Sequence, residues 1–142
     1  MKILLLGSAT LALIAAVSLT ASTAPPAKPA TAEAQIDAGK KLYTDKCSKC
    51  HGDAGQGTKD GPPVVGKDAF PLDPRAKSKR DVKFHTAADV FGWATKNMPP
   101  KKAGSLTTDE YLEIFAFDLT ANGVKLDAVL DGPAAAKIVL HP

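Results

Sequence analysis

Both cysteines of this 142-residue chain fall in one pentad, Cys47-Ser48-Lys49-Cys50-His51. Cys-x-x-Cys-His is the attachment pattern of a c-type haem. Two thiols three positions apart at the end of a helix can each add across one vinyl group of a planar porphyrin. The adjacent imidazole then turns under the ring and binds iron from the proximal face. Bare Cys-x-x-Cys also serves thioredoxin-like dithiols and halves of zinc sites, so the weight rests on the histidine and on what is missing elsewhere. A thioredoxin-like dithiol belongs at a strand-to-helix junction, whereas Gly39-Lys40-Lys41-Leu42-Tyr43 runs into Cys47 with helical spacing. A zinc site needs further ligands, and only His85 and His141 remain, without paired spacing. A Cys47–Cys50 disulfide would close too small a loop to restrict the unfolded chain much.

An iron held by one histidine leaves a sixth position to explain. Apart from the initiator, Met98 is the only methionine, 47 residues after His51 in the loop-like Asn97-Met98-Pro99-Pro100. A thioether is a soft, neutral donor that favours ferrous iron, raises the reduction potential and closes the site to oxygen or substrate. A lone methionine is ordinarily a core filler, but the flanking prolines and the shortage of alternatives point here to a distal ligand. His85, in Lys83-Phe84-His85-Thr86, is the competitor and would lower the potential; its other reading is an exposed or hydrogen-bonded histidine just before a helix. His141, one residue from the end, is expected to be frayed.

The elements that must position these groups can be located. Met1-Lys2, an apolar stretch from Ile3 to about Leu19 and small residues from Ala21 to Ala32 read as a secretory signal, with cleavage after Ala32 preferred and a periplasmic destination. Retained, the stretch would tether the folded part to a membrane. Thr23 to Ala34, rich in Ala, Pro, Thr and Lys, reads as a linker. The division expected is 1–32 for signal and linker start, and 33–142 for one domain whose small core must include the haem. Lys2 and Lys28 lie in the first part, leaving 16 basic against 15 acidic residues, so nucleic-acid binding is not supported. Lys46 and Lys49 flank the cysteines, and Lys96, Lys101 and Lys102 flank Met98. The two groups are either ordinary solvated lysines or a positive rim that steers a redox partner with an acidic docking surface.

Helix signals bracket the pentad. Thr86 with Asp89 starts one helix, continued by Val90, Phe91 and Trp93. Thr107 with Glu110 forms a capping box, Leu106 a staple, and Asn122-Gly123 a stop. Between them Tyr111, Leu112, Ile114, Phe115, Phe117 and Leu119 give an apolar arc wide enough to be buried on more than one side.

On these residues the chain, from Ile36 to about Gly123, resembles a class I cytochrome c. The resemblance implies an all-α fold of three or four helices around one covalently bound haem c. It pairs Gly39 and Tyr43 of an amino-terminal helix with Ile114 and Phe117 of a carboxy-terminal helix crossing it. It also implies that Pro62, in Gly61-Pro62-Pro63-Val64, accepts the Nδ1 proton of the haem histidine, the other reading being a turn without that contact. Trp93 either lines the haem pocket, bonding a propionate through its indole, or is ordinary core. Two features depart from small family members. Phe70 to Lys83, with Arg75, Lys77, Lys79 and Arg80, is a long basic loop that offers a docking surface. An extension follows from about residue 124, with a short helix expected over Ala134 to Val139 after Gly132-Pro133. Its Ala-Asn-Gly-Val start resembles haem subunits of periplasmic dehydrogenases. The function implied is a one-electron carrier in the periplasm, not an enzyme, with Cys47 and Cys50 as anchors and His51 and Met98 as ligands. The alternatives are a dedicated dehydrogenase haem subunit and a haem enzyme or sensor with an open sixth position.

Overall fold

Capping chemistry sets the helices of this all-α chain. A computed structural model describes residues 27–76 and 78–141; residues 1–26 of the expected signal and linker segment, and Lys77 of the basic loop, lie outside them. The elements are α1 (Ala32–Lys46), α2 (Ser48–His51), α3 (Ala87–Asn97), α4 (Thr108–Ala121) and α5 (Gly132–Lys137). Five exceeds the expected three or four because the pentad coils into its own turn after Cys47. Among the described residues the only β pairing is an isolated Thr86–Val139 bridge.

Thr31 caps α1, its hydroxyl accepting from the Ala34 amide at 3.2 Å, so the helix begins inside the stretch expected to be linker. Both expected capping boxes are present, Thr86 with Asp89 on α3 and Thr107 with Glu110 on α4. Gly123, at φ 86°, ends α4. Helix α5 starts and stops two residues earlier than expected, because the Asp131 carboxylate accepts from the Ala134 amide at 2.7 Å and places Pro133 in the first turn.

The main packing is α1 across α4. A methyl group at Gly39 would overlap the Glu113 carbonyl, so only glycine allows this approach, and Tyr43 meets Phe117 at 5.2 Å between ring centroids. Leu112, Phe115 and Leu119 carry α4 into a core shared with Val90 of α3 and Phe84.

The extension belongs to this core. Gln35, buried in α1, exchanges two hydrogen bonds with the Leu130 backbone, at 3.0 and 2.7 Å, and Leu130 and Ala135 are fully packed. Helix α5 lies on α3, and the Ala87 amide donates to the Ile138 carbonyl at 2.9 Å. His141 is not frayed: its Nε2 lies 2.7 Å from the Phe70 carbonyl, tying the chain end to the basic loop. That loop is not simply an outward docking surface either. Arg80 turns inward, 7% exposed, its guanidinium 3.7 Å over the Phe84 ring and donating to the Pro71 and Leu72 carbonyls at 2.8 and 3.2 Å.

Candidate functional site

The pentad is held on one turn. Cys47 is at once the last cap of α1 and the first of α2; its amide donates to Tyr43 at 2.8 Å, and its carbonyl accepts from Cys50 and His51 at 3.1 and 3.0 Å. Gly52, at φ 84°, then breaks the helix and receives the Tyr43 hydroxyl on its carbonyl at 2.7 Å. The following loop folds back on the turn it left. The Gly57 amide donates to His51 at 2.7 Å and the Thr58 hydroxyl to Cys50 at 2.6 Å, while any side chain on Gly61 would strike the Cys50 carbonyl. Asn122 fastens the far end, donating to Val64 at 2.8 Å and accepting from the Gly66 amide at 2.9 Å.

This fold-back brings the Pro62 carbonyl to 2.7 Å from His51 Nδ1. A carbonyl can only accept, so Nδ1 carries the proton and Nε2 keeps the free lone pair, the nitrogen able to bind a metal. Cys47, Cys50, His51 and Pro62 line one cavity of about 540 Å³ together with Trp93 and Met98, inside the ~300–1,000 Å³ range of small-molecule sites. Both thiols are free. Burial, followed by the nearby Asp118 and Cys50, pushes the Cys47 thiol up to about 12, the reverse of what a nucleophilic dithiol needs.

Met98 caps the end of α3, its amide donating to Ala94 at 2.8 Å, and its carbonyl accepts the Tyr111 hydroxyl from α4. Helices α3 and α4 together therefore fix where the thioether starts. Trp93 does two things that the sequence posed as alternatives: it faces the cavity and packs edge-on to Phe84 at 6.3 Å. His85 is exposed, outside the cavity lining, and uses its carbonyl to hold the Leu140 amide at 2.8 Å.

Val90, Ile114 and Phe115 make the cavity wall apolar, while Lys46, Arg75, Lys79 and Lys96 are exposed at its lining. Lys49, Lys101 and Lys102 are also exposed but do not line it. Two unpaired thiols, an imidazole with its far nitrogen engaged, and a thioether on one aliphatic and aromatic cavity form a donor set that fits a haem. Among the lining residues that sequence reasoning missed is Asp118. It is 5% exposed on α4, and its signal was an acidic residue interrupting the apolar run between Phe117 and Leu119.

Residues 34–117 match the family described as cytochrome c oxidase, cbb3-type, subunit III. A thiosulfate dehydrogenase of Stutzerimonas stutzeri (strain A1501) is 34% identical over 87 residues, 58% of this chain and 26% of that protein. The crystal structure of the sulfane dehydrogenase SoxCD from Paracoccus pantotrophus matches with a TM-score of 0.57 and 30% identity, over 74% of this chain and 52% of that one. The chain thus spans about a quarter and about half of these two relatives.

Proposed function

This chain belongs to the cytochrome c family of cbb3-type oxidase subunit III, and from that premise we propose that it is a monohaem c-type cytochrome carrying single electrons in the periplasm. The observation that carries the reading is the convergence of Cys47, Cys50, His51 and Met98 on one apolar cavity. Haem c bound there supplies an iron that gains and loses one electron.

Each residue then has a task. Cys47 and Cys50 anchor the group through thioether bonds. His51 is the proximal ligand, oriented and made a better donor by the Pro62 carbonyl. Met98 is the distal ligand, presented by the α3 cap and the Tyr111 hydroxyl; as a neutral sulfur donor it favours the reduced state. With both axial positions filled, no position is left for a substrate, so the role is electron transfer and not catalysis. Val90, Ile114 and Phe115 make the surroundings of the haem apolar. The exposed Lys46, Lys79 and Lys96 put positive charge on the cavity lining, which speeds and orients encounter with an acidic redox partner. The Met1–Leu19 leader and the attachment pentad together support export.

A dedicated haem subunit of a dehydrogenase complex is the second reading, favoured because both relatives are dehydrogenases. Visible spectra of the exported protein in both oxidation states, with cyanide and carbon monoxide added, test the six-coordinate carrier. Slow or absent binding is the expected result, and rapid binding points to the open-site enzyme or sensor. Copurification with a larger oxidoreductase separates the subunit from the diffusing carrier.

A further inference from the structure

Electron carriage leaves Asp118 without a task. The residue is among those lining the cavity yet is 5% exposed, and its Oδ1 has no hydrogen-bond partner among the described residues. The ion pairs among those residues do not include it. An isolated carboxylate in such a place is costly, and burial alone drives its proton affinity well above the ordinary carboxylate range.

The other titratable and charged groups of the cavity lining are engaged elsewhere or exposed to solvent. From α1, the Tyr43 hydroxyl donates to Gly52, Lys46 pairs with Asp45 at 2.7 Å, and Cys47 is a neutral thiol or thioether. From α2, Cys50 is the second haem anchor and His51 is turned to Pro62. The loop contributes Arg80, bonded to the Pro71 and Leu72 carbonyls, Arg75, bonded to the Asp68 carbonyl, and the exposed Lys79. Helix α3 adds the exposed Lys96, and α4 itself adds Tyr111, which donates to Met98.

We propose that Asp118 is a proton-binding site coupled to the haem electron, so that the protein takes up one proton with one electron. The inference rests on the haem reading above. An oxidised centre carries one more positive charge than a reduced one, and across an apolar, low-dielectric cavity that charge favours the ionised carboxylate. With haem bound, gain of one electron from an external donor would be accompanied by formation of an O–H bond on the Asp118 carboxylate, the proton coming from hydronium or a buffer acid in the solvent. Loss of the electron to an acceptor would reverse this, the O–H bond breaking and the proton returning to the solvent. The coupling is reciprocal: reduction raises the proton affinity of Asp118, and raising the pH lowers the reduction potential.

The experiment is a redox titration of the holoprotein at roughly pH 5 to 9, followed in the visible band, for the native chain, Asp118→Asn and Asp118→Leu. The native potential is expected to fall with pH, its slope approaching the ~59 mV that one tenfold step represents for a one-electron couple. Both variants are expected to be flat, and proton uptake on reduction, read with an indicator dye in weak buffer, is expected to disappear with them. A flat native profile overturns the proposal. So does a slope that persists in both variants, because other groups, the haem carboxylates among them, then titrate. A colourless preparation is a different failure, since it removes the haem reading itself before any titration begins.

Discussion

His51 Nδ1 lies 2.7 Å from the Pro62 carbonyl oxygen, and this contact ties the proximal histidine to the loop that follows it. It exists because Gly52 ends α2 with a positive φ and Gly61 lets the returning chain touch the Cys50 backbone. A backbone acceptor cannot be lost to a side-chain change, so the orientation of the imidazole depends on the loop as a whole. The Asn122 amide, fastened to Val64 and Gly66, extends that dependence to the end of α4.

Gly39→Ala tests the helix crossing on which the cavity stands. In an isolated helix the change would stabilise by about 1 kcal/mol. Here the methyl meets the Glu113 backbone, which cannot rotate away, and overpacking costs about 1–3 kcal/mol or more. A melting temperature lowered by several degrees is expected by circular dichroism; an unchanged or raised one contradicts the crossing.

Much of this was legible because the signals are local. The pentad, the Thr86/Asp89 and Thr107/Glu110 boxes and the Asn122-Gly123 stop each act within about one helical turn, so sequence carries them directly. What escaped is long-range. Gln35 and Leu130 are 95 positions apart, His141 meets Phe70 across 71, and neither pairing leaves a periodic trace. The inward turn of Arg80 depends on Phe84 and on carbonyls that only the folded loop presents. Asp118 escaped for another reason: the apolar arc of α4 was visible, but which of its positions faces a cavity is decided by α1 and α3.

Met98→Ala should abolish the thioether-to-ferric charge-transfer band and lower the reduction potential, by about 0.1 V or more within the ~0.8 V that axial ligands span. Cyanide should then bind readily. His85→Ala, altering an exposed side chain outside the cavity lining, should leave spectrum and potential unchanged. The opposite pattern, a silent Met98→Ala with a shifted His85→Ala, assigns the ligand to His85.

Reversing charge on the cavity lining, with Lys46→Glu and Lys96→Glu together, should slow oxidation by the anionic hexacyanoferrate(III) about tenfold or more at low salt. The native and variant rates should converge as ionic strength rises and the screening length falls below about 10 Å. Rates that differ equally at all salt concentrations would place the electron's exit elsewhere.

Asp118 also makes a stability prediction for the reduced holoprotein. Its folded proton affinity is raised above the unfolded carboxyl's ~3.9, so the stability it contributes is full below that pH and is lost as pH rises towards the folded value. Asp118→Leu, which also removes a buried acceptor lacking a partner, should stabilise by about 1–3 kcal/mol near neutrality. The gain should shrink as the pH falls towards 4 in paired thermal melts. Parallel native and variant curves across that range would show that the carboxyl does not titrate on unfolding.

Intact mass measured under denaturing conditions, on protein matured in an exporting host able to attach haem, bears on everything above. The native chain should carry the added mass of one haem that survives unfolding, and Cys47→Ser with Cys50→Ser should not. A native chain whose denatured mass is that of the polypeptide alone would contradict the covalent haem on which the assigned roles of His51 and Met98 depend.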